Sequence, residues 1–289
     1  MANNLAAFKA EIWSKQLILN LDKINVMSPL VNDDWEGELK GKGSTVYVRT
    51  LGNITLGAYT GTISYQDLAP VKEPMTVNDA QYFAFQVDDL DEAQSDMDAL
   101  DAYTMRAAVG VNDTIEGKLL SKYASCAAAN KITGASNAAI ALTKDNVYSY
   151  AVQARTNLSK QSVPSIGRWM VIDPDTTGLF LQAPEFIRAT NLGDGIVTLG
   201  RVGNAERAGF VGRIAGFDVF ESNNVPVSGG AKYIQYGDRY AIAYAAQINE
   251  MEALRLQNSF ASAVRGLLFH DCTVFAEGAK RFGHLKAAA

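Results

Sequence analysis

Residues 43–96 read GSTVYVRTLGNITLGAYTGTISYQDLAPVKEPMTVNDAQYFAFQVDDLDEAQSD, and this stretch decides the interpretation of the fold. Its first part alternates in the manner of a β-strand around Val46 and Val48. A second strand is expected in residues 80–89, after a polar connection that contains two prolines. The simplest interpretation is a long two-stranded hairpin with an extended tip. Such a hairpin alone is only marginally stable in water, so its length calls for a partner surface.

An acidic segment follows the hairpin: residues 88–101 hold seven acids and no base. A calcium loop is disfavoured because glycine is missing at its sixth position and glutamate at its twelfth. Acidic residues favour the first turns of a helix, where free N–H groups and the dipole attract negative charge. Apolar residues then recur every three or four positions from Leu100 to Cys126. This spacing predicts a helix of about 30 residues from Ala99, roughly 45 Å long.

The N-terminal residues form an apolar segment that needs a surface to pack against. Leu5, Phe8 and Ile12 recur at helical spacing, and Pro29 ends the pattern. We expect a short helix on an extended arm, packed either on the core of its own chain or on a neighbour.

The later part of the chain mixes strand and helix patterns in separate runs, which favours an α+β fold. A helix is expected over residues 143–161 and a strand over 167–174, and the alternating GFVGRIAGFDVFESNNVP of residues 209–226 predicts a hairpin. Residues 249–269 fit either a helix or a mixed segment, and both remain open. A last strand is expected around residues 274–276.

Three glycine-containing segments fail as phosphate-binding loops. GELKGKGST, residues 37–45, misses the P-loop spacing and opens a strand pattern where a helix is needed. GDGIVTLG, residues 193–200, has threonine where the dinucleotide fingerprint needs its third glycine. In residues 209–226 the glycines are interleaved with strand-forming residues and are expected to ease bends or tight packing.

No pattern indicates an enzyme. The two histidines, His270 and His284, belong to no HExxH motif, and no GxSxG elbow occurs. The two cysteines, Cys126 and Cys272, have no CxxC partner, so we predict no catalytic, cofactor or metal site. The net charge of −5 argues against a dedicated nucleic-acid-binding module. No apolar run is long enough to cross a membrane, and no signal peptide is recognised.

The order of these parts resembles the major capsid proteins of tailed bacteriophages, which have the HK97-like fold. Residues 43–96 resemble that family's extended loop running into its spine helix. RWMVIDP (168–174), residues 209–226 and HDCTVFAEGAKRF (270–282) resemble strands of its later domains. The resemblance covers nearly the whole chain, through diffuse patterns and not through one diagnostic motif.

The resemblance implies five regions in an α+β, HK97-like subunit. They are an N-terminal arm (1–40), an extended hairpin loop (41–87), a peripheral domain with the spine helix (88–140), an axial domain (141–265) and a C-terminal return to the peripheral domain (266–289). It further implies pentamers and hexamers of an icosahedral head that encloses double-stranded DNA. A scaffolding protein, a portal protein and a possible decoration protein are the expected partners, without a membrane. The chain would reside in the virion, and in the host cytoplasm during assembly.

Apolar residues of the arm, the hairpin and the following strand are expected to contact neighbouring subunits. They are Leu5, Phe8, Trp13, Trp35, Val46, Val48, Ile54, Tyr59, Ile63, Tyr65, Tyr82, Phe83 and Phe85. Deletion of residues 52–78 is expected to leave a folded subunit that forms no stable shell. The lysines at 40, 42 and 72 give no basis for an isopeptide cross-link. The alternatives are an encapsulin-type shell protein, another self-assembling structural protein, or an enzyme with an unrecognised site.

Overall fold

The described part of the chain combines three β-sheets with a long helix, and the α+β class predicted from the sequence is confirmed. The computed structural model describes residues 26–34, 45–50, 54, 56, 58, 65, 71–88, 99–183, 209–255 and 261–288. The strands are β1 (Thr45–Thr50), β2 (Val71–Thr76), β3 (Asp79–Asp88), β4 (Lys131–Ile132), β5 (Arg168–Ile172), β6 (Phe210–Ile214), β7 (Phe217–Glu221), β8 (Val227–Ser228), β9 (Ala231–Asp238), β10 (Ala243–Arg255), β11 (Ala261–Thr273) and β12 (Phe282–Ala288). The helices are α1 (Ala99–Ser121), α2 (Val147–Lys160), α3 (Pro174–Gln182) and α4 (Ala276–Arg281).

The largest sheet has the strand order β4-β12-β9-β5-β7-β6, with β8 beside β9. Its central strand, β5, pairs antiparallel with β9 and parallel with β7, and all five of its residues are buried. Trp169 and Val171 enter one hydrophobic core, whereas Met170 and Ile172 enter another. The run RWMVI is therefore almost continuously apolar because both faces of the strand are covered.

The two cores lie on opposite faces of this sheet. The first receives Ile115, Leu119 and Leu120 from α1, together with residues 26–31. The second receives the apolar side of α2, which Val147, Ala151, Ala154 and Leu158 form. Helix α2 confirms the prediction of a helix within residues 143–161. Its apolar residues recur at helical spacing, so one side of the helix packs against the sheet along its length.

The three-stranded sheet corrects two sequence-based expectations. Its order is β10-β11-β3, and β3 pairs antiparallel with β11 from Asp79↔His270 to Asp88↔Ala261. The strand over residues 80–88 is thus real, but its partner is not β1. Residues 249–269, which left helix and mixed structure open, lie mostly in the β10–β11 hairpin. Alanine, leucine and arginine favour a helix locally, yet pairing of β11 with two neighbours outweighs that preference.

The return strand of the first hairpin is β2, not the strand expected at residues 80–89. β1 and β2 pair antiparallel from Thr45↔Thr76 to Thr50↔Val71 and form a sheet of their own. We call residues 45–76 the β1–β2 hairpin. The Pro74 position does not prevent pairing because β2 is an edge strand, where a missing N–H is tolerated.

Helix boundaries also differ from the expectation. α1 begins within the described residues at Ala99, as predicted, but ends at Ser121, and a 3₁₀ turn over Lys122–Ser125 follows. Residues 276–281, where the last strand was expected to end, form α4, and the last strand is β12. The acidic residues 89–98 and the N-terminal residues 1–25 lie outside the described residues.

The hairpin expected in residues 209–226 is confirmed as β6 and β7. Ala215 and Gly216, between the strands, have φ values of 50° and 86°, as a two-residue turn matched to strand twist requires. Gly209 also has a positive φ, 75°, and a Cβ there would lie 2.6 Å from the carbonyl oxygen of Glu221. These glycines serve a turn and a close backbone approach.

Candidate assembly surface

The base of the β1–β2 hairpin is fixed to the body of the subunit. Met75 and Val77 are fully buried in a small cluster with Ala243 and Ala245. The Glu73 carboxylate accepts a hydrogen bond from the backbone N–H of Ala276 at 2.8 Å. These contacts join residues about 170 to 200 positions apart, so the direction in which the hairpin leaves the subunit is set by tertiary structure.

A cluster of charged groups holds the next part of the chain, where β3 begins. Lys118 of α1 forms an ion pair with Asp79, and its Nζ lies 3.9 Å from an oxygen of Asp271. The mutual hydrogen bond lowers the pKa of Asp79 and raises the pKa of Lys118. The backbone N–H of Asn78 donates to the Asp271 carboxylate at 3.2 Å. The junction between the hairpin and β3 is therefore tied to both α1 and β11.

His270 lies buried beside this cluster. Neither of its ring nitrogens has a hydrogen-bond partner among the described residues, and burial lowers the pKa of its imidazole. A neutral imidazole is the form that an apolar site favours. His284, the other histidine, is also buried, with Nδ1 2.9 Å from the carbonyl oxygen of Tyr123. Both side chains are parts of the subunit interior.

Beyond its base, the hairpin presents apolar side chains to solvent. Leu56 is 94% exposed and Tyr65 is 95% exposed. Among the described residues of the hairpin and β3, the exposed large apolar side chains are Tyr47, Ile54, Leu56, Tyr65 and Tyr82. Single exposed apolar residues are ordinary on protein surfaces, but several on one projecting element mark an interaction site.

Two concave surfaces flank β3. A cleft of about 240 Å³ separates β3 from α1 and is lined by apolar and small polar residues, among them Phe83, Gly110, Thr114 and Leu268. On the opposite face of the three-stranded sheet, a depression of about 410 Å³ lies around Tyr82 and the Glu252–Arg265 ion pair. The edge of β3 that pairs with no described strand thus has apolar groups on both sides.

The structure places seven of the thirteen expected contact residues. Val46 and Val48 lie in β1, where Val48 is half-buried. Ile54, Tyr65 and Tyr82 are exposed, and Phe83 and Phe85 are half-buried on the α1 side of β3. The rest, Leu5, Phe8, Trp13, Trp35, Tyr59 and Ile63, lie outside the described residues. Their roles stay predictions.

Two exposed residues were missed by sequence reasoning. Tyr47 lies between Val46 and Val48, so strand alternation places it on the opposite side of β1. Leu56 lies two positions beyond Ile54, and the same period of two was the signal that could have identified it. The structure also changes the deletion proposed from sequence: removing residues 52–78 would take Met75 and Val77 out of the interior.

The thiols and carboxylates of the described residues suit structural roles. Burial raises the pKa of the Cys126 thiol to about 11 and also raises the pKa of Cys272. Nucleophilic or metal-binding thiols need the opposite shift. Within the described ranges, no group of three or more His, Cys, Asp and Glu side chains is arranged to hold a metal ion. None of the helices searched there is long and apolar enough to cross a membrane.

Comparison with known proteins adds independent evidence. The model of the phage capsid protein family matches residues 73–267. A chain of Mycobacterium phage Che8 shares the fold with a TM-score of 0.69 and 21% identity, over 90% of each chain. The capsid of cyanophage P-SCSP1u shares the fold with a TM-score of 0.63 and 14% identity, over 94% of this chain and 88% of that one. The SrpI encapsulin of Synechococcus elongatus PCC 7942 shares the fold with a TM-score of 0.57 and 10% identity, over 86% of this chain and 84% of that one. No curated protein sequence matches the chain.

Proposed function

Because this chain belongs to the phage capsid protein family, we propose that its copies build a closed shell in which the β1–β2 hairpin of each copy contacts a neighbour. The chain is a major capsid protein with the HK97-like fold, and its role is structural. One observation carries the proposal: Leu56 and Tyr65 are almost completely exposed on a hairpin whose base is fixed in its own subunit.

Burial of these side chains by another copy supplies a driving force for assembly. Fully burying one large apolar side chain contributes roughly 1.5–3 kcal/mol. A projecting element that contacts a different surface on the next copy makes a head-to-tail interface, and such interfaces close into rings when the rotation allows it. Many modest contacts of this kind, acting together, stabilise a shell of many copies.

We propose the five-region division given from the sequence as the domain organisation. The hairpin region, residues 41–87, contains the β1–β2 hairpin and all of β3 except Asp88. The boundary between the axial region and the C-terminal return, at residues 265 and 266, falls inside β11. The second hydrophobic core, between α2 and the seven-stranded sheet, supports an axial unit, but Ile132, Ile140, Leu285 and Ala287 of this core come from the two regions assigned to the peripheral domain.

We further propose pentameric and hexameric capsomers and a head that holds double-stranded DNA without sequence-specific contacts. The acidic net charge of −5 supports this container role, because a shell that bound DNA tightly would hinder packing and release. Scaffolding, portal and decoration proteins are the partners expected in the host cytoplasm, and the mature location is the virion.

An encapsulin-type shell is the second candidate, and the similarity in fold to the SrpI encapsulin favours it. The two functions differ in content: one shell holds a genome, and the other holds enzyme cargo. Nucleic acid and protein analysis of particles purified after nuclease treatment distinguishes them. Nuclease-protected DNA supports the head, whereas a single co-purifying enzyme without DNA supports the encapsulin.

The hairpin contact is tested by replacing residues 51–70 with Asn-Gly, which closes β1 onto β2 beyond the Thr50↔Val71 pair. This variant keeps Met75 and Val77, so we expect cooperative unfolding like that of the unmodified chain, but no closed shells in negative-stain images. Val227→Ser is the matched control, because Val227 is an exposed apolar residue in β8 and its loss should leave shells intact. Shells of normal size from the shortened hairpin would contradict the proposal.

A further inference from the structure

A strongly exposed apolar residue lies outside the β1–β2 hairpin, next to the seven-stranded sheet. Ile166 is 88% exposed in the connection between α2 and β5. Pro164, Ser165 and Gly167 beside it are exposed as well, whereas Val163 and Arg168 at the two ends are buried. We call residues 164–167 the Ile166 loop.

The Arg168 guanidinium holds this loop in one shape. Its Nε donates to the carbonyl oxygen of Pro164 at 2.8 Å, and its Nη2 donates to that of Val163 at 2.7 Å. Its Nη1 donates to the carbonyl oxygen of Arg155 at 3.2 Å, and both terminal nitrogens reach Ser159 Oγ at 3.2 Å. All of these acceptors are neutral. A buried arginine is therefore used to fix a loop to the end of α2, at the desolvation cost that burying a charge carries.

Backbone geometry fixes the loop further. Ser162, just before it, and Gly167, within it, have φ values of 60° and 77°. Val163 is anchored in the second hydrophobic core between these two residues. An apolar side chain presented by a loop that is already ordered loses little conformational entropy on binding, which is the property of a pre-organised contact.

The charges around the loop identify its partner. Arg155 and Lys160 are exposed on the last turns of α2, and neither forms an ion pair with a described carboxylate. The nearby carboxylates of Asp218 and Asp238 are already paired with Arg213 and Arg281. This end of the subunit is therefore locally cationic in a chain whose net charge is −5. This cationic end is attracted to the net negative surface of another copy. The acidic remainder of the subunit surface is repelled by it.

We propose that Ile166 is an anchor residue that inserts into an apolar surface on a second copy of this chain, with Arg155 and Lys160 facing acidic groups at its rim. The inference rests on the proposed function and names a contact separate from the β1–β2 hairpin. A ring of identical subunits needs two different surfaces on each copy, and the hairpin and the Ile166 loop belong to different sheets.

The test compares Ile166→Asp with Val227→Asp, an equivalent change at another exposed aliphatic residue. Both variants should unfold like the unmodified chain, because neither side chain is buried. Ile166→Asp should raise the protein concentration needed for shell formation, measured by light scattering and negative stain, about tenfold or more, as expected for one lost isoleucine contact. Val227→Asp and Ile166→Leu should assemble like the unmodified chain.

A photo-cross-linking amino acid at position 166 gives a second measurement that does not depend on tolerance of aspartate. In assembled particles it should yield covalent dimers of this chain on a denaturing gel. The inference is overturned if Ile166→Asp forms shells at the same protein concentration as the unmodified chain. It is also overturned if position 166 forms no cross-link to another copy in assembled particles. Those outcomes do not contradict the hairpin proposal. The hairpin proposal fails separately if the unmodified chain does not assemble, or if the variant with the shortened hairpin still forms shells.

Discussion

The seven-stranded sheet and the β1–β2 hairpin bury their apolar residues in opposite ways. In the sheet, β5 is covered on both faces by side chains of its own chain, and Trp169, Val171 and Ile172 are almost fully buried. Among the described residues of the hairpin, Met75 at the base is buried, whereas Leu56 and Tyr65 remain in solvent. The difference separates stability from assembly: the sheet stabilises a single subunit, whereas the hairpin gains most from a neighbour.

The largest expected effect contrasts one residue from each region. Trp169→Ala should lower the free energy of unfolding of the subunit by about 3–5 kcal/mol, because it leaves a cavity between α1 and the sheet. Leu56→Ser should change that free energy by less than about 0.5 kcal/mol, because Leu56 has almost no contact to lose. Denaturant titration of unassembled subunits measures both.

The matched control for the tryptophan is Trp169→Phe, which keeps an aromatic ring in the core. It also removes an indole N–H that has no hydrogen-bond partner among the described residues. We expect a clearly smaller loss than for alanine. Equal losses for Trp169→Ala and Leu56→Ser would break the comparison, since they would mean that the hairpin tip is part of the subunit interior.

An intermediate effect is expected on acidification, at the junction between the two regions. Burial lowers the pKa of His270 from 6.5, while Asp79 and Asp271 partly favour its protonation and Lys118 opposes it. As the pH drops below 6.5, the His270 imidazole binds a proton in the unfolded chain before it does in the folded chain. The free energy of unfolding therefore falls as the pH drops from 6.5 towards the lowered pKa of the folded state. Unfolding midpoints measured at several pH values should show this loss, and His270→Asn should reduce its slope.

His284→Asn is the control for this experiment, because burial also lowers the pKa of His284. It should remove its own share of the pH dependence and leave that of His270 in place. A slope between pH 6.5 and 5 that does not change in the His270 variant would contradict the role given to the junction, since the buried imidazole would then make no difference to stability.

The smallest effect concerns the turn between β6 and β7, at the edge of the covered sheet. Ala215 has φ = 50°, a left-handed conformation that asparagine tolerates better than alanine. Ala215→Asn should raise the free energy of unfolding by about 0.5–1 kcal/mol. Gly216→Ala, at φ = 86°, should lower it by a similar amount or more. A lower melting temperature for Ala215→Asn, or a higher one for Gly216→Ala, would show that the local turn does not limit the stability of this edge.

Local patterns predicted those elements whose structure depends on near neighbours in the chain. The strand formers and interleaved glycines of residues 209–226 predicted the β6–β7 hairpin, and apolar spacing predicted the start of α1 and the position of α2. The exposed residues Ile54 and Tyr65 of the candidate surface were also predictable, because a two-stranded element cannot cover its own apolar side chains.

Sequence patterns alone determined the α+β class, the resemblance to capsid proteins and the expectation of a projecting hairpin. The tertiary structure, by contrast, sets which strands pair: β3 pairs with β11 across some 180 residues, and β2 closes the hairpin with β1. It also sets the contacts by which Arg168 fixes the loop that exposes Ile166 to solvent, and no sequence pattern predicts this role of Arg168. Period and turn chemistry are local properties of a chain, whereas strand partners and buried polar contacts depend on which distant faces can be covered together.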